Sequence, residues 1–155
     1  MEKIVKNIIE EQNDENIAIT SVESPPLSYR DLKILINNIS RQLSANGISN
    51  KDRAAIVLPN GPYMATSFLA ISSYMSAAPL NPKYKSEEFE FYLSDLKPKL
   101  LIVDHNSKNP AVDVANKLKI PVCEIKKQKD APSGFFNLFE NNKDFNLPKE
   151  DDEAL

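Results

Sequence analysis

The chain has 155 residues, with 19 Lys and Arg against 22 Asp and Glu, so its formal net charge is -3. This length predicts one domain with room for a buried core, and the charge balance argues against a nucleic-acid-binding surface. With 41% hydrophobic and 26% charged residues, the composition is that of a folded globular protein and excludes a disordered chain.

The first quarter of the chain predicts a helix, a hairpin and a second helix. Apolar residues at helical spacing predict the first helix over 3–12, and the pattern over 17–22 predicts a strand that turns at 23–26. Ser28, with Asp31 three residues later, predicts the N-cap of the second helix, and Gly47 predicts its end. The buried stripe of this helix is expected at Leu32, Leu35, Ile36, Ile39 and Leu43.

From residue 54 onward, short apolar segments alternate with helical patterns, which is typical of a mainly parallel sheet with flanking helices. Ser86 is predicted as the N-cap of one of these helices, with Glu87 and Glu88 as capping charges and not as a catalytic carboxylate pair. The predicted fold class is α/β, a doubly wound half-sheet. Strands are predicted at 54–58, 77–80, 100–104 and 122–125, with helices at 63–75, 86–96 and 110–118.

The segment 126–150 loses this alternation and is predicted as an irregular connection within a single domain spanning 1–155. The lysines of 126–129 predict a solvated loop, because they lack the interleaved aromatic residues of a nucleic-acid-binding surface. An aromatic run follows and is predicted to pack on the core, with exposure to a partner as the alternative. The run consists of Phe135, Phe136, Leu138 and Phe139.

Cys123 and His105 are the only residues of their types, which excludes metal sites built from several cysteines or histidines. Cys123 lies in a predicted apolar strand and is expected to be inert packing. We expect an intracellular protein, because a lone cysteine forms no internal disulfide and the amino terminus lacks a secretory layout. We also expect no membrane span, because Pro59, Gly61 and Pro62 interrupt the least polar stretch, 54–82.

Phosphate binding by backbone amides is not predicted. Gly47, Gly61 and Gly134 are far apart in sequence and match neither common glycine-rich phosphate pattern. Gly61 is followed by Pro62, which lacks an N–H donor, so a helix start is favoured over a nucleotide site at this turn.

His105 follows Asp104 at the carboxyl end of a predicted parallel strand, the edge where open α/β sheets bind ligands. A small enzyme that uses this pair is one hypothesis. The favoured interpretation is that Asp104, His105 and Asn106 are turn and cap residues before the next helix.

An ordered series of segments resembles a known family. The segments are LSYRDL at 27–32, NKDRAAIVL at 50–58, LPNGP at 58–62, FLA at 68–70, AAPLNP at 77–82 and EEFEFYLSD at 87–95. In this order they resemble the amino-terminal region of AMP-forming acyl-CoA synthetases of the adenylate-forming superfamily, and the last two are most like the oxalate–CoA ligase subgroup. The similarity covers about residues 17–103.

The resemblance implies an incomplete amino-terminal α/β subdomain of an enzyme that activates a carboxylic acid with ATP and Mg²⁺ and transfers the acyl group to CoA. Residues 151–155 resemble the start of the strand before the family's phosphate-binding loop, so that loop, the acyl pocket and the catalytic lysine are expected outside this sequence. We therefore expect no catalytic, cofactor-binding or metal-binding residue in this chain. Asn81 and Pro82 match a family motif, but their expected role is to end a strand and turn the chain.

The chain alone is thus expected to be a scaffold that is inactive and binds no ATP, Mg²⁺ or CoA, in the cytoplasm or in peroxisomes. Expected partners are the remainder of a synthetase, a complementary chain or a second copy, and neither nucleic acid nor a membrane. The alternative is a non-catalytic interaction or regulatory module that docks through an exposed sheet edge and the aromatic run.

Overall fold

The computed structural model describes residues 2–139. Within this range the chain forms five helices and eight strands around one parallel sheet. The helices are α1 (Glu2–Glu10), α2 (Tyr29–Ala45), α3 (Pro62–Ser72), α4 (Ser86–Leu96) and α5 (Pro110–Lys117). The strands are β1 (Ile17–Ile19), β2 (Leu27–Ser28), β3 (Arg53–Val57), β4 (Ser76–Pro79), β5 (Leu100–Val103), β6 (Val122–Glu124), β7 (Lys126–Lys127) and β8 (Phe136–Asn137).

The central sheet has the strand order β4-β3-β5-β6, and all of its strand pairs are parallel. Successive residues of β3 face opposite sides, so Ala54 and Ile56 pack against α2 and α3 while Ala55 and Val57 pack against α4 and α5. Helices cover both faces, which explains why every residue of β5 is buried. The predicted α/β class and the four predicted strands are confirmed.

Helix α2 follows its sequence prediction closely. The Ser28 hydroxyl accepts the backbone N–H of Asp31 at 3.1 Å, as an N-cap should. Gly47, with φ of 79°, follows the helix end, where Ile48 donates its N–H to the Leu43 carbonyl at 3.0 Å and is buried. All five residues predicted for the buried stripe are buried.

Helix α4 corrects one prediction. It begins at Ser86, but the N-cap position is Lys85, so the Ser86 side chain does not cap the helix. The Glu88 carboxylate instead reaches back and accepts the Lys85 backbone N–H at 3.2 Å. Capping by an acid of the first turn was predicted, and Glu88 supplies it.

The segment after β6, here called the arm (residues 126–139), folds back over the α2 and α3 side of the sheet. Its strands β7 and β8 pair antiparallel, so the described part of the predicted irregular connection contains regular structure. The Gln42 side chain accepts the N–H groups of Leu138 at 2.9 Å and Phe139 at 3.2 Å. Residues 140–150 of that connection, and the predicted strand start at 151–155, lie outside the described residues.

The aromatic run belongs to the core. Phe136, Leu138 and Phe139 are buried in the cluster formed by α2, α3 and the sheet, and Phe135 packs against that cluster. The prediction of core packing is confirmed. The docking alternative required these side chains at the surface, and their burial removes that basis.

Candidate functional site

The candidate site lies at the edge of the sheet where the parallel strands end, here called the carboxyl edge. Strand β4, which follows β3 in the chain, lies beside β3 on the side away from β5. Strand β6, which follows β5, lies beside β5 on the side away from β3. The connections therefore diverge between β3 and β5. Open α/β sheets bind ligands in the crevice outside such a point, so the loops after β3 and β5 are where function is expected.

Lys127 links these two loops. Its Nζ lies 3.0 Å from Oδ1 of Asp104, after β5, and 4.4 Å from the centroid of the Tyr63 ring, in the first turn of α3 after β3. Both charged side chains are partly exposed, so the ion pair contributes only about 0–1 kcal/mol to stability. These contacts mainly fix the position of the arm across the crevice. The Asp104 carboxylate also neutralises the Lys127 charge there.

His105 is paired with a carboxylate that the sequence analysis did not single out. Its Nδ1 lies 3.2 Å from Oε2 of Glu124, at the end of β6, and the other Glu124 oxygen accepts the Asn106 backbone N–H at 3.2 Å. A carboxylate that orients an imidazole is one half of a general-base arrangement. The second half, a nucleophile, is missing: among residues 2–139 no Ser, Thr or Cys side chain hydrogen bonds to the ring, which is 64% exposed.

Asp104 and His105 do not act together as a catalytic pair. Asp104 accepts the backbone N–H of His105 at 2.8 Å and not a ring N–H, while Asn106 adopts a left-handed φ of 52°. These are the features of a turn. The favoured interpretation as turn residues is confirmed, but none of the three caps the next helix, whose N-cap is Asn109. The hypothesis of an Asp104–His105 enzyme loses its geometric basis.

The neighbouring loops serve to shape this edge. The Asn81 side chain accepts the Lys83 N–H at 2.9 Å and so turns the chain after β4, as predicted. Asn109 caps α5 by accepting the Ala111 N–H at 2.9 Å and donates to the Pro82 carbonyl at 2.8 Å. The loops after β4 and β5 are thereby tied together.

The start of α3 does not have the geometry of a phosphate-binding site. Gly61 is the N-cap, with φ of 152° that favours glycine, and Pro62 follows it without an N–H. Gly47 lies after α2, and Gly134 is packed against Thr66. Within the described residues, therefore, no glycine-rich loop aims successive amides at an anion, and Lys127 is already paired. These residues do not fit the triphosphate of ATP.

The remaining candidates behave as structural groups. Cys123 is buried, and burial raises the pKa of its thiol to about 12, so the reactive thiolate is scarce at neutral pH. Glu87 is exposed in the first turn of α4. Of the lysines of 126–129, Lys126 and Lys127 form β7 and are not loop residues.

The described residues have neither a membrane-spanning helix nor a cluster of metal ligands. No helix within 2–139 is long and apolar enough to cross a bilayer. The same residues contain no group of three or more His, Cys, Asp or Glu side chains placed to hold a metal ion.

Comparison with known proteins agrees with the resemblance noted above. The family described as "AMP-binding enzyme" matches residues 7–154. An oxalate–CoA ligase of Arabidopsis thaliana is 46% identical over 82 residues, which are 52% of this chain and 16% of that protein. The probable CoA ligase CCL9 of Humulus lupulus is 35% identical over 118 residues, 76% of this chain and 22% of that protein. The chain thus spans about a fifth of the length of these curated relatives.

Solved structures share the fold at lower identity. The crystal structure of apo MatB from Rhodopseudomonas palustris aligns with a TM-score of 0.70 at 21% identity, over 88% of this chain and 27% of that chain. The luciferase-like enzyme of the mealworm Zophobas morio aligns with a TM-score of 0.69 at 15% identity, over 96% and 37%. The α/β fold of this chain therefore occurs as one part of larger proteins.

Proposed function

Because the chain belongs to the AMP-binding enzyme family, we propose that it is the amino-terminal scaffold of an ATP-dependent acid–CoA ligase. The complete reaction would join a carboxylate to ATP, releasing pyrophosphate, and then pass the acyl group from AMP to the CoA thiol. ATP, Mg²⁺ and CoA are the cofactors implied for the complete enzyme. The family match over residues 7–154 is the observation that carries this proposal.

Within this reaction, the chain supplies architecture and leaves the chemistry to other segments. Adenylation requires backbone donors and cations around the phosphates. Among the described residues, the crevice between β3 and β5 has no glycine-rich loop, Pro62 removes one donor at the start of α3, and Lys127 is paired with Asp104. We therefore propose that this chain by itself neither binds ATP tightly nor activates a carboxylate.

Oxalate is the acid we propose for the complete ligase. The similarity to the Arabidopsis protein supports this choice, as does a second oxalate–CoA ligase, of Saccharomyces cerevisiae, which is 33% identical over 97 residues. The aligned segments cover less than a fifth of each of these two relatives, and it is this similarity that supports oxalate as the substrate.

The partner we propose is the remainder of a synthetase, in the same or a complementary chain. The two edges of the sheet differ in what they offer it. At β4, Ser76 donates its N–H to the carbonyl of Asp52, just before β3, and Leu80 donates to Ile56 of β3. The backbone amide positions of Ala77 and Pro79 therefore lie on the open edge, where Pro79 has no N–H to offer. Strand β6 carries no such block, and we expect added structure on the β6 side.

The test is ATP–pyrophosphate exchange by the purified chain with oxalate, malonate and acetate as separate substrates. The full-length Arabidopsis relative serves as a positive control, and His105→Ala as a matched variant. We expect exchange from the relative and only background from this chain, with or without the substitution. Robust oxalate-dependent exchange by the chain would refute the proposed inactivity, and its loss in His105→Ala would revive the histidine hypothesis.

A further inference from the structure

A cluster of aromatic side chains occupies the solvent side of α4, in the helix layer made by α4 and α5. This aromatic cluster consists of Tyr84, Phe91 and Tyr92. The rings of Tyr84 and Tyr92 stack with centroids 5.1 Å apart and an interplanar angle of 12°, and Phe91 meets Tyr92 edge-on at 5.3 Å. Phe91 is 67% exposed and Tyr92 36% exposed, so two large rings face water side by side.

The aromatic cluster is anchored to the core. Tyr84 packs edge-on against the fully buried Phe89 at 5.7 Å between ring centroids. Rings that are already ordered lose little further conformational freedom when a partner binds. Pre-ordered, half-exposed aromatic rings are also the side chains that dominate binding energy at protein interfaces.

The solvent side of α4 carries three carboxylates around the cluster, while the exposed Lys83 and Lys85 flank Tyr84 just before the helix. Glu87 and Asp95 lie four residues before and after Phe91, and Glu88 lies four residues before Tyr92, so each shares a helix face with a ring. All three carboxylates are exposed. The pKa of Tyr84 is raised, chiefly by its hydrogen bond with Tyr92 and by burial, with the Glu88 charge adding to the effect.

The charge of these carboxylates decides which occupant fits. A second copy related by twofold symmetry would place like charges against each other, and phosphate groups or an anionic lipid surface would be repelled. A guanidinium group is attracted both by the aromatic rings and by the carboxylates. It stacks on aromatic faces and forms paired hydrogen bonds with carboxylates.

We propose that the aromatic cluster and the three carboxylates around it form a docking site for a partner protein segment that carries arginine next to apolar side chains. The apolar side chains cover Phe91, and the arginines lie over the rings of Tyr84 and Tyr92 with Glu87 or Asp95 as counter-ions. This site is independent of the proposed ligase function and does not involve the carboxyl edge.

The chain is titrated with a short synthetic peptide of alternating arginine and leucine. Binding is monitored by calorimetry and by backbone amide NMR. Control peptides carry lysine or glutamate in place of arginine. Phe91→Ser and the pair Glu87→Gln with Asp95→Asn alter the site, and Ile34→Ser is the matched control, since Ile34 is an exposed apolar residue of α2. Far-UV circular dichroism verifies that each variant is folded.

We expect the arginine peptide to shift amide signals of α4, to bind more weakly as salt rises, and to lose about tenfold or more in affinity in Phe91→Ser. The lysine peptide should bind more weakly and the glutamate peptide not at all, while Ile34→Ser should bind like the parent chain. Equal binding by Phe91→Ser, binding of the glutamate peptide, or absence of α4 shifts would overturn the proposal. Self-association that Phe91→Ser abolishes would also overturn it, in favour of a second copy as the occupant.

Discussion

Replacing Gly134 by Ala tests whether the arm is docked on α3 as described. Gly134 has a φ of 76°, and a methyl group there would lie 2.7 Å from Cγ2 of Thr66 and 2.8 Å from the Pro62 carbonyl oxygen. The left-handed conformation costs about 1–2 kcal/mol for Ala, and overpacking adds about 1–3 kcal/mol. The lower entropy of the unfolded Ala chain offsets about 0.4–1 kcal/mol of this. We expect a net loss of about 2–4 kcal/mol in the free energy of unfolding.

Gly47→Ala is the matched control, because Gly47 has nearly the same φ, 79°, and nothing within 4 Å of an added methyl. It should cost only the strain less the entropic offset, about 1 kcal/mol. Urea unfolding followed by circular dichroism measures both variants, since the chain has no Trp for fluorescence. Adding Thr66→Ser to Gly134→Ala removes the closest atom and should recover part of the loss. Equal losses in the two glycine variants would show that the arm does not pack on α3 in solution.

Three further predictions concern the buried thiol, the ion pair at α2 and the Gln42 side chain. The pKa of Cys123 rises from its usual 9.0 to about 12 on burial, so the folded chain keeps a proton that the unfolded chain loses. Stability, measured by urea midpoints, should fall as pH rises from about 9 to 12, and it should fall less in Cys123→Ala. The Lys33 ammonium, 2.6 Å from Asp14, lowers the pKa of that carboxyl below its usual 3.8, so the pair stabilises the fold at higher pH and ceases to do so on acidification. NMR titration should show a higher Asp14 pKa in Lys33→Met, and an unchanged value would contradict this cause. Gln42→Ala should cost about 1–3 kcal/mol in urea unfolding, because it leaves two N–H groups of the arm without their acceptor, whereas replacement of the exposed Arg41 by Ala should cost little.

The two surfaces singled out differ in kind. The carboxyl edge has the position of a binding site, yet its polar side chains are already paired with one another, Lys127 with Asp104 and His105 with Glu124. The solvent face of α4 presents large exposed rings and carboxylates in no special topological position. Our two proposals therefore concern different places: catalysis by segments other than the described residues, and recognition by α4.

Local patterns were sufficient for most of the secondary structure, but not for β7 and β8 or for the N-cap of α4. Ser28 caps α2 because its hydroxyl reaches an amide three residues away, and α4 and β5 begin where their patterns predict. Such interactions join residues within one or two turns, so their geometry follows from spacing alone. The buried thiol of Cys123 was predicted in the same way, from the apolar strand around it.

The sequence also determined the family, through an ordered series of short segments, and with it the parallel sheet that the structure contains. Only the tertiary structure decided the strand order β4-β3-β5-β6, which locates the divergence between β3 and β5. It also decided that His105 meets Glu124 and that Lys127 bridges Asp104 and Tyr63. These contacts join residues from different strands and loops. Strand pairing and helix packing determine which residues meet, so no local sequence pattern predicts the contacts.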